Sequence, residues 1–270
     1  MNRSILFFCG QPLASTPIGQ RVGAFGAYLR KQGWNVHLSS VDPRFQDKPF
    51  IDRDDARQQD VEILGPSHYR VSSNGERQQL SPQQYLSECR QMVERIRDRA
   101  GRMSADIIVL STTLPATLYA AWALPKKPHQ VWMDTDDWSA GQFTAGGGSQ
   151  MVGTVYGLIE RTLPRLVHRI TVCSEDLHGL FPKSILVPNF IRLDEIPPPT
   201  KVRQPRRVAF ASGVTAYHGH MPLLEALARR REAMTGLDFG IMGDGDRLEA
   251  CKEFVAKKRA GGHRPFYRPT

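Results

Sequence analysis

The chain has 270 residues, with 36 Lys and Arg against 27 Asp and Glu and a net charge of +9. Its 40% hydrophobic and 23% charged residues mark an ordinary globular protein and exclude a disordered one. The four cysteines, Cys9, Cys89, Cys173 and Cys251, form no C-x-x-C pair; this excludes a zinc ribbon, argues against a disulfide scaffold and predicts a reducing, cytoplasmic setting.

Strands and helices alternate along the first two hundred residues. Ser4–Cys9 is a short apolar run of buried-strand type, followed by a loop over Gly10–Pro17 and a helix over Ile18–Gln32 that carries Val22, Phe25 and Leu29 at helical spacing and stops at Gly33. Trp34–Ser40 is the next strand. Asp42–Gln79 is polar and predicts an irregular excursion with one short strand near Val61–Leu64. Ser81 caps a helix running to about Arg102, with Leu86, Cys89, Val93 and Ile96 on one face. Then come a strand at Asp106–Ser111, a helix at Pro115–Leu124, a strand at Gln130–Asp134, a helix at Ser149–Leu166, a strand at Arg169–Ser174, a short helix at Glu175–Phe181 and a last strand at Ser184–Val187. Ile107–Pro125 is uncharged, but Ser111, Thr112, Thr113, Pro115 and Thr117 interrupt it, so it reads as strand then helix and not as a membrane span. The alternation argues for a parallel sheet covered on both faces.

Pro-rich, basic residues 196–206 read as a linker, which sets the expected division: a first domain over 1–195 and a second over 207–270. The second begins with a strand at Arg207–Ser212. A helix follows around Pro222–Ala233, then a strand at Leu237–Met242, a helix at Arg247–Arg259 and the start of a strand at Phe266. Residues 201–270 hold 14 Lys and Arg against 7 Asp and Glu, so most of the positive excess lies there, a bias that suits an anionic membrane surface or a phosphorylated ligand. Without a platform of stacking aromatics, nucleic acid is not an expected partner.

In open α/β sheets ligands bind beyond the carboxyl ends of the strands, so the residues that follow each strand are the candidates. After Cys9 comes a loop with Gly19 at the entry of a helix, where backbone N–H groups and the helix dipole suit an anion. No G-x-G-x-x-G is present there, which disfavours a dinucleotide site. After Gln130–Met133 come Asp134, Asp136 and Asp137. Carboxylates this close repel, so some must be hydrogen-bonded, protonated or metal-paired; an Asp-x-Asp able to hold a divalent cation and a plain turn cap are the open alternatives. After Arg207–Ser212 come Gly213, Tyr217, His218 and His220, and after Leu237–Met242 come Gly243, Asp244 and Gly245 ahead of a helix, a turn that allows a phosphate close to backbone.

Four stretches, in order, resemble the GT-B glycosyltransferases and in particular the retaining family 4. They are the loop and helix ending in LRKQGWNV at Val36; ITVCSEDLHGLFPKSILVPNFIRLDEI from Ile170; VAFASGVTAYHGHMPLLEALA from Val208; and LDFGIMGDGDRLEA from Leu237. The resemblance implies an α/β protein of two Rossmann-like domains, the acceptor on the N-terminal side and a nucleoside diphosphate sugar on the C-terminal side. It implies sugar transfer with retention to a glycan or lipid-linked acceptor of envelope or exopolysaccharide type, the nucleotide sugar being a substrate and no cofactor or metal being required. Gly19, Gly213, His218, Gly243, Asp244 and Gly245 would then face the donor, and Asp134 and Asp136 the acceptor side of the chemistry.

The sequence departs from the family pattern in several places. The Arg and Lys that grip the donor diphosphate fall at Val214 and His218, and the P-N-G passage reads Pro188-Asn189-Phe190. The sequence reaches Thr270 without the family's E-x7-E element. The expectation is therefore an incomplete second domain, with the chain a fragment or one completed by another polypeptide. Two alternatives stay open: a non-catalytic binding or scaffold protein, and a metal-dependent transferase using Asp134 and Asp136.

Overall fold

The computed structural model describes residues 3–13, 16–52, 60–67, 69–72, 74–112, 115–145, 149–189, 207–215, 218–230, 232, 237–260 and 267–269. The expected linker and Tyr217 lie outside them. The chain divides into two compact units, one of residues 1–141 and 149–196, the other of residues 142–148 and 197–270.

The first unit is built on β1 (Ser4–Cys9), β2 (Asn35–Val41), β3 (Phe50–Asp52), β4 (Val61–Gly65), β7 (Ile107–Ser111), β8 (Gln130–Thr135), β9 (Arg169–Val172) and β10 (Ile185–Leu186), in the order β10-β9-β8-β7-β1-β2-β4-β3. All neighbours pair parallel except β3 with β4. A separate hairpin, β5 (Tyr69–Val71) with β6 (Arg77–Gln79), completes the excursion over 42–79. Among its described residues that stretch therefore holds four strands where one was expected. Three of them are only three residues long, too short to leave a pattern.

Helix α1 (Pro17–Lys31) starts on Thr16, whose hydroxyl accepts the Gly19 N–H at 3.3 Å, and places Pro17 where no N–H is needed. It covers one face of the sheet, laying Ile18 and Val22 over Ile5, Phe7, Leu38 and Val109. The other face is covered by α2 (Pro82–Arg102), α3 (Pro115–Ala123) and α5 (Gln150–Leu166), over Leu6, Phe8, Ile108, Val131 and Met133. The Ser81–Gln84 capping box opens α2. Its inner face is Cys89, Met92, Val93, Ile96 and Ala100, while Leu86 is 44% exposed. The expected face is thus corrected by one step: Tyr85 packs on the core in the place assigned to Leu86. Two short helices, α4 (Ser139–Ala145) and α6 (Glu175–Leu180), follow β8 and β9; α4 had no sequence signal.

The second unit holds the parallel strands β11 (Arg207–Ala211), β12 (Asp238–Met242) and β13 (Tyr267–Pro269), in that order, with α7 (His220–Arg229) and α8 (Leu248–Ala260). Its small core is Val214, Leu224, Ile241, Cys251 and Val255. Among the described residues no helix is long and apolar enough to cross a membrane.

Candidate functional site

In the first unit the chain leaves β1 for β2 on one side and later returns to β7 on the other, so the strand order reverses at β1 and β7. Ligands of open α/β sheets bind in the crevice at such a switch point. Register places Ser40, Cys9, Ser111, Asp134 and Thr171 side by side across five strands at this edge. Two residues earlier the same face carries Leu38, Phe7, Val109 and Trp132. The face beneath α1 therefore turns from apolar to polar at the strands' carboxyl ends.

Asp134 is held there by Arg21 from α1. Arg21 Nε donates to Oδ2 and Nη2 to Oδ1, each at 2.9 Å, and Thr171 Oγ1 donates to Oδ1 at 2.6 Å. Arg21 Nη1 reaches on to the Val187 carbonyl at 2.8 Å and Asn189 Oδ1 at 3.1 Å, and the guanidinium lies over the Phe25 ring. The Arg21 and Asp134 side chains are only 3% and 2% exposed. Burial alone would lower the Arg21 pKa; the bonds and charge of Asp134 more than reverse this, and the net shift is upward. The expected repulsion among the acids is thus relieved at Asp134 by an arginine that sequence reasoning missed. Its signal was a charge at 3–4 spacing from Ile18 and Phe25 on the apolar side of α1.

Among the described residues no arginine is bonded to the Asp136 carboxylate, and its own backbone N–H and the charge of Arg21 offset its burial only in part. Burial, then the charges of Asp137 and Asp134, push its carboxyl up to about 7. The Cys173 thiol donates to the Asp136 carbonyl at 3.0 Å, and burial raises the pKa values of both Cys173 and Cys9, so neither is a ready thiolate. The hydroxyls of Ser40, Ser111, Thr112 and Thr135 are buried at this edge with no hydrogen-bond partner among the described residues. Thr112 also sits at φ 70°, a strained conformation for a β-branched residue.

Gly19 belongs to this unit, and its close approach is to the chain itself. A Cβ there would lie 1.8 Å from the Leu13 carbonyl oxygen, and its N–H is already taken by Thr16. The expectation that Gly19 opens a path for an anion is therefore replaced by a packing reason.

In the second unit the loops after β11 and β12 come together, joining Gly213, His218, Gly243, Asp244 and Gly245 in one cluster. Val214 N–H donates to the Asp244 carbonyl at 2.9 Å, and Arg247 N–H to the Val214 carbonyl at 3.0 Å. The glycines serve this join: a Cβ on Gly243 would meet the Ser212 carbonyl at 2.0 Å, and one on Gly245 the Val214 carbonyl at 2.4 Å. Val214 is fully buried in the unit's core. His218 Nδ1 is 2.9 Å from Thr215 Oγ1, and His220 Nε2 is 3.3 Å from Ser212 Oγ. His220 Nδ1 is buried without a partner among the described residues, and burial and then His218 lower the His220 pKa. These groups surround the first turn of α7, which follows the left-handed Gly219.

Comparison with solved structures covers the whole chain. Sucrose-phosphate synthase from Thermosynechococcus elongatus superposes with a TM-score of 0.70 at 11% identity, over 100% of this chain and 70% of that one. The fold is that of the GT-B glycosyltransferases. The catalytic domain of starch synthase IV from Arabidopsis thaliana, bound to ADP and acarbose, has a TM-score of 0.63 at 12% identity, over 100% of this chain and 74% of that one. The pneumococcal O-GlcNAc transferase GtfA, in complex with UDP and GlcNAc, has 0.53 at 11%, over 100% and 76%. Comparison by sequence with family descriptions and with curated proteins finds no match. Within the GT-B frame the eight-stranded unit is the N-terminal Rossmann-like domain, and the unit containing β11 to β13 is the C-terminal one.

Proposed function

We propose that this chain is a glycosyltransferase that moves a sugar, with retention, from a nucleoside diphosphate sugar to a glycan or lipid-linked acceptor. In such a transfer the acceptor oxygen bonds to the anomeric carbon, and the bond from that carbon to the diphosphate breaks. The diphosphate leaves with the electron pair, so it needs donors aimed at the charge it acquires. The observation that carries the reading is the joined loop pair of the C-terminal unit. It gathers His218, the start of α7 and the turn Gly243–Gly245 at the carboxyl edge of β11 and β12, and a helix start with adjacent imidazole suits a phosphate.

On the acceptor side Asp134 and Asp136 take different parts. Among the described residues the Asp134 carboxylate bonds Arg21 and Thr171, so it positions β8 against α1 and is a poor metal ligand. Asp136, poised near neutrality, is the group suited to hold or receive the proton of an acceptor hydroxyl. That arrangement supports the transferase over an Asp-x-Asp metal mechanism. One observation favours a binding role without transfer: Val214 is core, leaving His218 as the only candidate of the pair expected to grip the diphosphate.

Calorimetry of the full chain with UDP, ADP and GDP tests the donor side. Binding of one of them with Kd in the usual substrate range of about 1 µM to 1 mM is expected, weakened about tenfold or more by His218→Ala, as for the loss of one hydrogen bond to a charged group. No binding of any of the three would remove the donor assignment; binding without transfer would leave the scaffold reading.

A further inference from the structure

We infer that the outward face of α5 is a docking surface for an anionic lipid bilayer. This surface lies wholly in the N-terminal unit and does not depend on the proposed transfer. The helix is arranged with its polar and small groups inward: Gly153, Gly157 and Glu160 face the protein, with Leu163 in the core. Met151, Val152, Val155, Leu158 and Ile159 face out, Met151 at 75% and Leu158 at 56% exposure. These positions fall one to four residues apart and form one continuous stripe.

The rotation of α5 is fixed from the inside. Glu160 accepts the backbone N–H groups of Ser139 and Ala140, the first of α4, at 3.2 and 3.4 Å. Turning the apolar stripe inward would pull this carboxylate, only 2% exposed, off those donors. Gly157 also lies against Ala140, where even a Cβ would make contact at 3.5 Å. The stripe is therefore held in water by the same contacts that seat the helix. An apolar face of this kind on a folded surface marks a site of association.

Charge selects the occupant. Glu160 is the single carboxylate in α5, so its exposed surface carries no negative charge, while Arg161 and Arg165 are exposed along one border of the stripe. Lys126 donates to the Arg165 carbonyl at 2.9 Å and adds a third cation at the same end. Trp122, 67% exposed, comes from α3, which packs beside α5. Apolar side chains bordered by Lys and Arg, with an exposed Trp, match a helix lying in the plane of an anionic interface. A second copy fits less well, because two chains of net charge +9 repel, whereas an anionic surface attracts the whole molecule. The membrane contact is thus assigned to α5 and not to the basic last quarter to which the sequence pointed.

Co-sedimentation of the full chain tests this with two kinds of vesicle, phosphatidylcholine alone and phosphatidylcholine with about one third phosphatidylglycerol. The expected result is binding to the anionic vesicles alone, weaker in high salt. Val155→Gln with Leu158→Gln, exposed positions whose change leaves circular dichroism and melting intact, is expected to weaken binding about tenfold or more. Arg161→Gln and Arg165→Gln are each expected to weaken it about fivefold, as for one cation near a charged surface. The inference is overturned if the wild-type chain ignores anionic vesicles, binds neutral ones equally well, or binds undiminished in the Val155/Leu158 variant. It is also overturned if light scattering shows a dimer that this variant dissolves, since the second copy would then be the occupant.

Discussion

Removing Asp134 should do more damage than removing any exposed acid, because it strands a cation inside the protein. Arg21 and Asp134 are 3% and 2% exposed and share two bonds at 2.9 Å. Breaking a buried pair by deleting one partner costs about 3–5 kcal/mol, while replacing both with apolar groups of similar volume costs far less. Asp134→Ala and Arg21→Met are each expected to destabilise the N-terminal unit by about 3–5 kcal/mol. The double variant Arg21→Met/Asp134→Leu should recover at least about 2 kcal/mol of the summed loss. At roughly 2–4 °C per kcal/mol for a unit of this size, each single change lowers the midpoint by about 10 °C. All four tryptophans, Trp34, Trp122, Trp132 and Trp138, lie in the N-terminal unit, so their fluorescence during urea or thermal unfolding reads that unit alone. Single losses below about 1 kcal/mol, or losses that simply add in the double variant, would refute the argument that this pair ties α1 to β8.

Three further outcomes are expected. Asp136 holds its proton up to about 7 in the folded chain against 3.8 for an ordinary Asp, so between those values the folded state binds more protons than the unfolded and stability falls as pH rises. Asp136→Asn should flatten that part of the stability–pH curve; an unchanged slope in urea titrations would show Asp136 to be ionised throughout. Gly19→Ala places a methyl 1.8 Å from a backbone oxygen and should cost about 2 kcal/mol or more in the same fluorescence assay, with a neutral effect contradicting the packing described for this turn. On α2, Met92→Ala should cost about 2–5 kcal/mol and Leu86→Gln less than about 0.5 kcal/mol. The reverse ranking would restore the helix face read from spacing.

The strands of the large sheet were legible because buried parallel strands are continuous apolar runs, as in SILFFC at β1 and IIVLS at β7. Their ends agreed to within a residue or two. The excursion over 42–79 was not legible, since β3, β5 and β6 owe their existence to antiparallel partners and carry little pattern of their own. Helix α4 was missed for a related reason: its first N–H groups are satisfied by Glu160 from α5, a contact between segments that no local window contains. On α2 the competition between Tyr85 and Leu86 for one inner place was settled by packing, and both satisfy helical spacing.

For the candidate site, the acids after β8 and the two glycine-bearing turns of the C-terminal unit stood out because they follow strands. What could not be seen was the division of labour. Asp134 and Asp136 look alike in sequence, and only the reach of Arg21 across to β8 and on to Val187 and Asn189 separates them. The turn glycines invited a ligand, whereas the space beside Gly19, Gly243 and Gly245 is filled by carbonyls of Leu13, Ser212 and Val214. The sequence reading expected a ligand close to these glycines; the group found close to them is the chain's own backbone.

The central claim is that this GT-B chain moves a sugar. Its most direct measurement is incubation of the purified chain with UDP-, GDP- and ADP-sugars labelled in the sugar, together with a glycan and lipid extract as acceptor, followed by separation of labelled product. Label is expected in the acceptor fraction from one donor class, with the anomeric configuration of the donor kept and with loss of transfer in His218→Ala and Asp136→Asn. Label that never leaves the nucleotide sugar, while the same chain binds the nucleoside diphosphate, would contradict it and leave a binding protein on a glycosyltransferase fold.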